Sequence, residues 1–344
     1  METADLLQQQ FEERKVQAAF YLEDFRSKSV RTEFSKGHRY NVLPFENQLD
    51  GYKLNGKALK EPIKDNNCYQ YHFDAQDRLI LVEQMAAFLG RFHYFTMYSY
   101  EENSIETMYW SGDSLSNITK YMLENNQVQA ASRHAAQGTS TQHYYYQNDQ
   151  LKAINTLSKS GQSEMDTTNH FYYKEDGSLL KIIQTWSTGG SRVTFSNERI
   201  AYKKLEERLL GEMKIAIQTF VDEHPDETLF ALAFSSYTEH ADLILSAEVV
   251  EQLSSDLKGG ETPDWSYSDF DSMDLVKQPL DEAETEKVTI SVAKAIKQVV
   301  EAEWFQLIPK STDFRCYFFN NEVEHRDENN QKIAKILDGV SFFK

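Results

Sequence analysis

Tyr69-Gln70-Tyr71-His72-Phe73-Asp74-Ala75-Gln76-Asp77-Arg78-Leu79-Ile80-Leu81-Val82 reads as strand, turn, strand. Aromatic residues at alternate positions put their rings on one face of an extended segment, and the Asp-rich interval suits a tight reversal. The phrase recurs. Tyr144-Tyr145-Tyr146 passes through Gln147-Asn148-Asp149-Gln150 to Leu151 and Ile154, and Phe171-Tyr172-Tyr173 passes through Lys174-Glu175-Asp176-Gly177-Ser178 to Leu179 and Ile182. Weaker copies run from Tyr98 and Tyr100 to Ile105 and Met108, and from Tyr121 to Val128. Copies spaced roughly 20 to 30 residues apart are supersecondary units that bury their apolar faces by stacking on neighbours. The expectation is an antiparallel β-meander.

These hairpins resemble the tyrosine-aspartate (YD) repeats found in the shells of large bacterial polymorphic toxins and in smaller proteins encoded with them. The resemblance covers about residues 69 to 195, with the Tyr-Asp and Gly of the strict motif often replaced. Most of the alternating aromatics are expected in cross-strand packing. A tyrosine-bearing open face would also offer a partner contact area at low entropic cost.

After Phe195 the period changes. Leu205, Leu209, Met213, Ile217 and Phe220 form a helical stripe that ends before Pro225, which places a domain boundary near Asn197. Two domains are expected, 1-197 and 198-344. The second is read as α+β with a central antiparallel sheet and packed helices. Thr228 to Ser235 is apolar on both faces, Leu243-Ile244-Leu245 is its neighbour, Val288, Val292, Ala295 and Val299 mark a helix, and Phe314 to Phe319 close the sheet. In the first domain, Leu7, Phe11, Ala18, Leu22 and Phe25 suggest one helix capped by Asp5. Tyr40, Val42, Leu43 and Phe45 suggest a strand between that helix and the repeats.

The chain of 344 residues carries 36 basic and 54 acidic side chains, a formal net charge of -18. Phosphate contacts demand Lys and Arg, so a general nucleic-acid binder is excluded and basic or neutral partners are favoured. Residues 200 to 344 hold 15 basic against 29 acidic side chains, which leaves only -4 to the first 199. No apolar run approaches the roughly 18 to 20 residues of a membrane span, and Met1-Glu2-Thr3-Ala4-Asp5 does not open a leader, so a cytoplasmic protein without membrane partners is expected. Cys68 and Cys316 stand far apart without metal-ligand company, which speaks against structural zinc and against a disulfide framework.

The order of elements after residue 200, with Leu229-Phe230-Ala231-Leu232-Ala233-Phe234-Ser235-Ser236-Tyr237, the strand at 243 to 245, a helix near 248 to 257 and Trp265-Ser266-Tyr267-Ser268-Asp269-Phe270, resembles an uncharacterised bacterial family, domain of unknown function 4303. That family is often grouped with the immunity proteins of contact-dependent and polymorphic toxin systems. The resemblance implies a role without supplying catalytic residues.

The candidate site is the acidic-aromatic phrase. Asp264, Asp269, Asp271 and Asp274 interleave with Trp265, Tyr267 and Phe270, and Lys277 is the one cation between Glu261 and Glu286. Carboxylates speed encounter with a cationic protein and buried rings anchor it. The competing reading is a solvated loop whose rings fold back onto the core. Glu322, Glu324, His325, Asp327 and Glu328 match no metal-loop spacing, and His240-x-Asp242 is short of ligands, so no metal is expected. There is no Gly-x-Ser-x-Gly. Gly189-Gly190-Ser191 reads as a hairpin turn, and Gly259-Gly260 lacks a phosphate-binding lysine.

The expectation is therefore a non-enzymatic immunity-type protein that binds a cognate, basic protein toxin through its acidic surface and needs no cofactor. The alternative is a small hydrolase or glycan-binding enzyme with a site between the two halves. A structural shell fragment is disfavoured because the repeats are few and an α+β domain follows.

Overall fold

The computed structural model describes residues 2–237, 242–250, 265–276, 280, 282–320, 326–338 and 340. The chain is mixed α+β and divides into two compact units, Met1–Glu198 and Arg199–Lys344.

The first unit opens with α1 (Glu2–Arg14) and α2 (Ala18–Ser27), followed by β1 (Arg31–Lys36), α3 (Glu46–Leu49) and β2 (Lys57–Leu59). The hairpin ladder comes next: β3 (Cys68–Phe73), β4 (Leu79–Ala86), β5 (Arg91–Tyr100), β6 (Ser104–Ser111), β7 (Ser114–Glu124), β8 (Gln127–Ala135), β9 (Gly138–Gln147), β10 (Gln150–Ser160), β11 (Ser163–Tyr173), β12 (Leu179–Trp186) and β13 (Ser191–Ser196). All belong to one 13-stranded sheet, ordered β13-β12-β11-β10-β9-β8-β7-β6-β5-β4-β3-β1-β2. Each strand from β3 to β13 pairs antiparallel with its neighbours in sequence.

Local chemistry makes the turns. Asn125-Asn126 and Asn148-Asp149 are two-residue reversals with φ of 52°, 62°, 50° and 59°. This is the left-handed pair that a twisted hairpin demands and that Asn and Asp tolerate. The turns at 74–78 and 174–178 are copies of each other. Asp74 N–H bonds the Arg78 carbonyl at 3.0 Å and Lys174 N–H the Ser178 carbonyl at 2.8 Å, with Asp77 and Gly177 in the left-handed position. The pairing slips by one residue beside both turns, between His72 and Phe73 and between Tyr172 and Tyr173. The tyrosines also repeat their bonds, with the Tyr100 hydroxyl donating to the Leu79 carbonyl at 2.7 Å and Tyr173 to that of Leu151 at 2.6 Å.

Alternation along β5 sends Phe95 and Met97 to one side, where with Ile80, Trp110 and Ile118 they pack under Leu7, Phe11, Ala18 and Phe25. Tyr98 lies in the other core, with Leu43, Tyr144, Ile154, Phe171, Ile182 and Phe195. Each fully buried Ile or Phe contributes about 1.5–3 kcal/mol relative to exposure. Gly138 starts β9 where a Cβ would lie 2.0 Å from the Lys159 carbonyl oxygen. Gly138→Ala is expected to cost about 1–3 kcal/mol and to raise hydrogen exchange along the β9–β10 pairing. Unchanged exchange there would refute this steric reading.

Three expectations for this unit are corrected. The N-terminal helix is two helices, interrupted at 15–17, where Gln17 has φ -111°, so that Leu7, Phe11, Ala18 and Phe25 all reach one core. Asp5 lies within α1 rather than capping it. Tyr40, Val42, Leu43 and Phe45 form no strand. Their segment is pinned by side chains, with Asn47 Nδ2 on the Tyr40 carbonyl at 2.8 Å and Glu46 accepting from Val42 N–H at 3.1 Å.

The second unit contains α4 (Tyr202–Glu223), β14 (Leu229–Tyr237), β15 (Asp242–Val249), β16 (Tyr267–Asp274), α5 (Glu282–Glu301), α6 (Glu303–Leu307), β17 (Lys310–Asn320) and α7 (Arg326–Leu337). The sheet order is β16-β15-β14-β17. It is mixed rather than antiparallel throughout, because β17 runs parallel to β14. A parallel pair needs a long crossover, and the chain between β14 and β17 includes α5 and α6. Leu209, Met213, Ile217 and Phe220 of α4 and Val288, Val292, Ala295 and Val299 of α5 share one core with Leu232, Phe234, Leu243 and Leu245. Among the described residues, no helix is long and apolar enough to cross a membrane.

Candidate functional site

The acidic-aromatic phrase is mostly a strand, and it lies at the edge of the four-stranded sheet. Strict alternation along β16 would put Tyr267 and Phe270 on opposite faces. The pairing prevents this. Tyr267 faces Ala247 and Asp271 faces Leu245, so residues 268 to 270 bulge opposite Ser246 alone. At the bulge Asp269 takes a left-handed φ of 52°, and its N–H turns to the Ser246 hydroxyl at 3.1 Å. Both rings then reach α4. Tyr267 meets Phe220 edge-on at 5.0 Å, and Phe270 lies 4.8 Å from the same ring.

The anchoring continues through hydrogen bonds. The Tyr267 hydroxyl donates to Glu227 Oε1 at 2.8 Å and lies 3.2 Å from His224 Nδ1. Ser266 N–H donates to the buried Glu248 carboxylate at 2.9 Å, and the Ser266 hydroxyl bonds its other oxygen. Trp265 meets Tyr317 of β17 edge-on at 5.9 Å. The three aromatics thus hold the strand in place.

The carboxylates face differently. Asp269 and Asp274 are exposed and Asp271 is half-buried. Asp271 accepts Ser272 N–H at 2.7 Å, and the Ser246 hydroxyl lies 3.5 Å from Asp269 Oδ1. Among the described residues, no cationic side chain pairs with Asp269 or Asp271. The Asp274 carbonyl is held by Arg208 Nη2 at 2.6 Å. Asp264 lies outside the described residues, as do Glu322, Glu324, His325, His240 and the Gly259-Gly260 pair. Asp327 and Glu328 fall in α7, not in a turn.

Sequence reasoning missed a second constellation, in the first unit. His72, Glu83 and Arg26 come from β3, β4 and α2. His72 Nε2 lies 2.8 Å from Glu83 Oε1, and Arg26 donates to both oxygens of that carboxylate. Burial pushes the Glu83 carboxyl up, but the hydrogen bonds from His72 and Arg26 outweigh it and hold the group below the usual carboxylate range. The signal was parity, since Glu83 stands in register with Leu81 and Met85, all three buried. Among the described residues, no group of three His, Cys, Asp or Glu side chains is arranged to hold a metal ion. No family model and no curated protein matches the chain.

Proposed function

We propose that this chain is a cytoplasmic, non-enzymatic immunity-type protein that binds and neutralises a basic bacterial toxin, with β16 as part of the contact surface. The observation carrying this reading is that Asp269 and Asp271 have no cationic partner among the described residues and sit on an edge strand whose aromatic neighbours hold it against α4. Fixed, unneutralised carboxylates attract a cationic surface at long range and demand no reordering on contact. The acid excess of residues 200 to 344 adds to that field. The mechanism is occlusion, an acidic face covering a basic cleft. The tyrosine ladder, with its duplicated turns and tyrosine-to-carbonyl bonds, supports the likeness to YD repeats and thereby to toxin-associated proteins.

The test is the triple variant Asp269→Asn/Asp271→Asn/Asp274→Asn, mixed with the basic protein products of whichever genes neighbour its own. Asn tolerates the left-handed backbone at 269, so the bulge survives neutralisation. The association rate at low salt is expected to fall about ten-fold or more, and its dependence on ionic strength to flatten. An unchanged rate and salt slope would sink the reading.

A further inference from the structure

Between β1 and β2 the chain makes a loop, residues 37–56, that ends beside the point where it began, since Lys36 faces Lys57 across the two strands. The loop carries α3 and sends Leu43 into the core shared with Tyr98, Ile154 and Phe171. Its neck is held by backbone. Gly56 N–H donates to the His38 carbonyl at 2.9 Å, and Gly37 N–H donates to the Asn67 carbonyl at 2.7 Å.

Two glycines make this approach possible. A Cβ on Gly56 would lie 2.3 Å from the Gly37 carbonyl oxygen and 2.7 Å from Arg39 Cγ. One on Gly37, which has φ 85°, would lie 3.2 Å from Gly56 Cα. Beside the neck the His38 ring stands 4.4 Å from the rings of Tyr52 and Tyr69. The residue before Gly56 is Asn55, which is exposed and is the one asparagine in the chain followed by glycine.

That dipeptide has its own chemistry. A glycine nitrogen has no side chain to shield it and attacks the preceding asparagine side chain more readily than any other residue's nitrogen does. Here the attacking nitrogen is Gly56 N, whose N–H is engaged by His38 and whose backbone is wedged against Gly37 and Arg39. Ring closure requires Asn55 and Gly56 to rotate, so the neck must open first.

We propose that Asn55 is a site of spontaneous deamidation, gated by the neck of the 37–56 loop, and that its isoaspartate product prevents the neck from closing again. In an opened neck Gly56 N bonds to Asn55 Cγ, the Cγ–Nδ2 bond breaks, and the amide leaves as ammonia with the Gly56 proton. Water then opens the succinimide at one of its two carbonyls. One route gives aspartate. The other gives isoaspartate, whose main chain runs through the former side chain and is longer by one C–C bond, about 1.5 Å. A backbone that already lacks room for a Cβ at Gly56 cannot take up that displacement. The loop, and with it Leu43, is then released from the sheet. This inference concerns the first unit and does not depend on any partner.

The experiment incubates the full chain at neutral pH beside a synthetic peptide spanning Lys53 to Ala58, with proteolysis and mass spectrometry of samples taken over time. Asn55 is expected to convert in both, at least about ten-fold more slowly in the folded chain. His38→Ala and Tyr52→Ala loosen the neck and should move the rate toward that of the peptide. Exchange of the β3 and β4 amides shows that each variant is folded, and Tyr52, about half exposed, can be truncated without opening a core. Chain and peptide converting at one rate would overturn the gate, as would Tyr52→Ala remaining as slow as the native chain. In the aged protein, the isoaspartate fraction should exchange the Gly56 and Val42 amides faster than the native chain, whereas Asn55→Asp, with the same charge and a normal backbone, should not. Native exchange in the isoaspartate fraction would overturn the release.

Discussion

Truncating Glu83 to alanine is expected to lower the stability of the N-terminal unit by about 3 kcal/mol, the low end of the range for a broken buried ion pair. Glu83 is fully buried and accepts from two elements at once, Arg26 on α2 and His72 on β3. Arg26 keeps about half of its side chain in water (48%) and can turn outward, which moderates the loss. His72 cannot turn outward. It is 4% exposed, its Nδ1 already has no hydrogen-bond partner, and truncation would orphan Nε2 as well. Replacing Arg26, His72 and Glu83 together by apolar residues of similar volume is expected to recover most of the loss, since no buried polar atom is then stranded. Urea unfolding combined with hydrogen exchange of the β3 and β4 amides reads both effects. A loss under about 1 kcal/mol for Glu83→Ala would mean that the triad behaves as a surface ion pair.

Acid should weaken the same unit through His38. Its ring stands 4.4 Å from the rings of both Tyr52 and Tyr69, with Nε2 2.9 Å from the Tyr69 hydroxyl. Burial pushes the imidazole down to about 4, opposed only by a hydrogen bond with Asn47. The folded pKa is therefore depressed below the unfolded value of about 6.5, and the unfolded chain takes up the proton first. Stability from this residue is complete above pH 6.5 and is lost as the pH falls toward 4. The loss amounts to at most about 3 kcal/mol, reduced where water reaches the half-buried ring. His38→Phe keeps a ring between the two tyrosines and removes the titration. Across pH 6.5 to 4 the native protein should lose stability more steeply than the variant. Carboxyl groups common to both proteins cancel in that difference. Parallel stability curves would show that His38 is not held neutral by the fold.

The ladder was legible because its determinants are local. Period-two aromatics and Asn, Asp or Gly at the reversals act within a few residues, and the repeats at 69, 144 and 171 announce themselves in the chain. The α4 and α5 stripes were legible for the same reason. What escaped depends on distant partners. The segment around Leu43 has apolar residues without a period, because its shape follows the core it fills and the side chains of Glu46 and Asn47 that pin it. The parallel alignment of β17 is decided by the route of the chain through α5 and α6. In the candidate site, residue types were visible but facing was not. The bulge that turns Tyr267 and Phe270 to one side is held by a serine hydroxyl 23 residues away. The His72–Glu83–Arg26 constellation left one readable trace, a carboxylate on an inward parity.

Nearest-neighbour pairing from β3 to β13 also bears on how the protein is made. Contacts between adjacent hairpins close short loops, so the sheet has few of the distant pairings that slow β-rich proteins. During translation α1, α2 and the Leu43 segment leave the ribosome before the strands they cover, and each new hairpin then finds an edge already waiting for it. Synthesis can thus proceed as growth from one end, with one growing edge at any moment to be guarded from misassociation, the opposite edge being the three-residue strand β2.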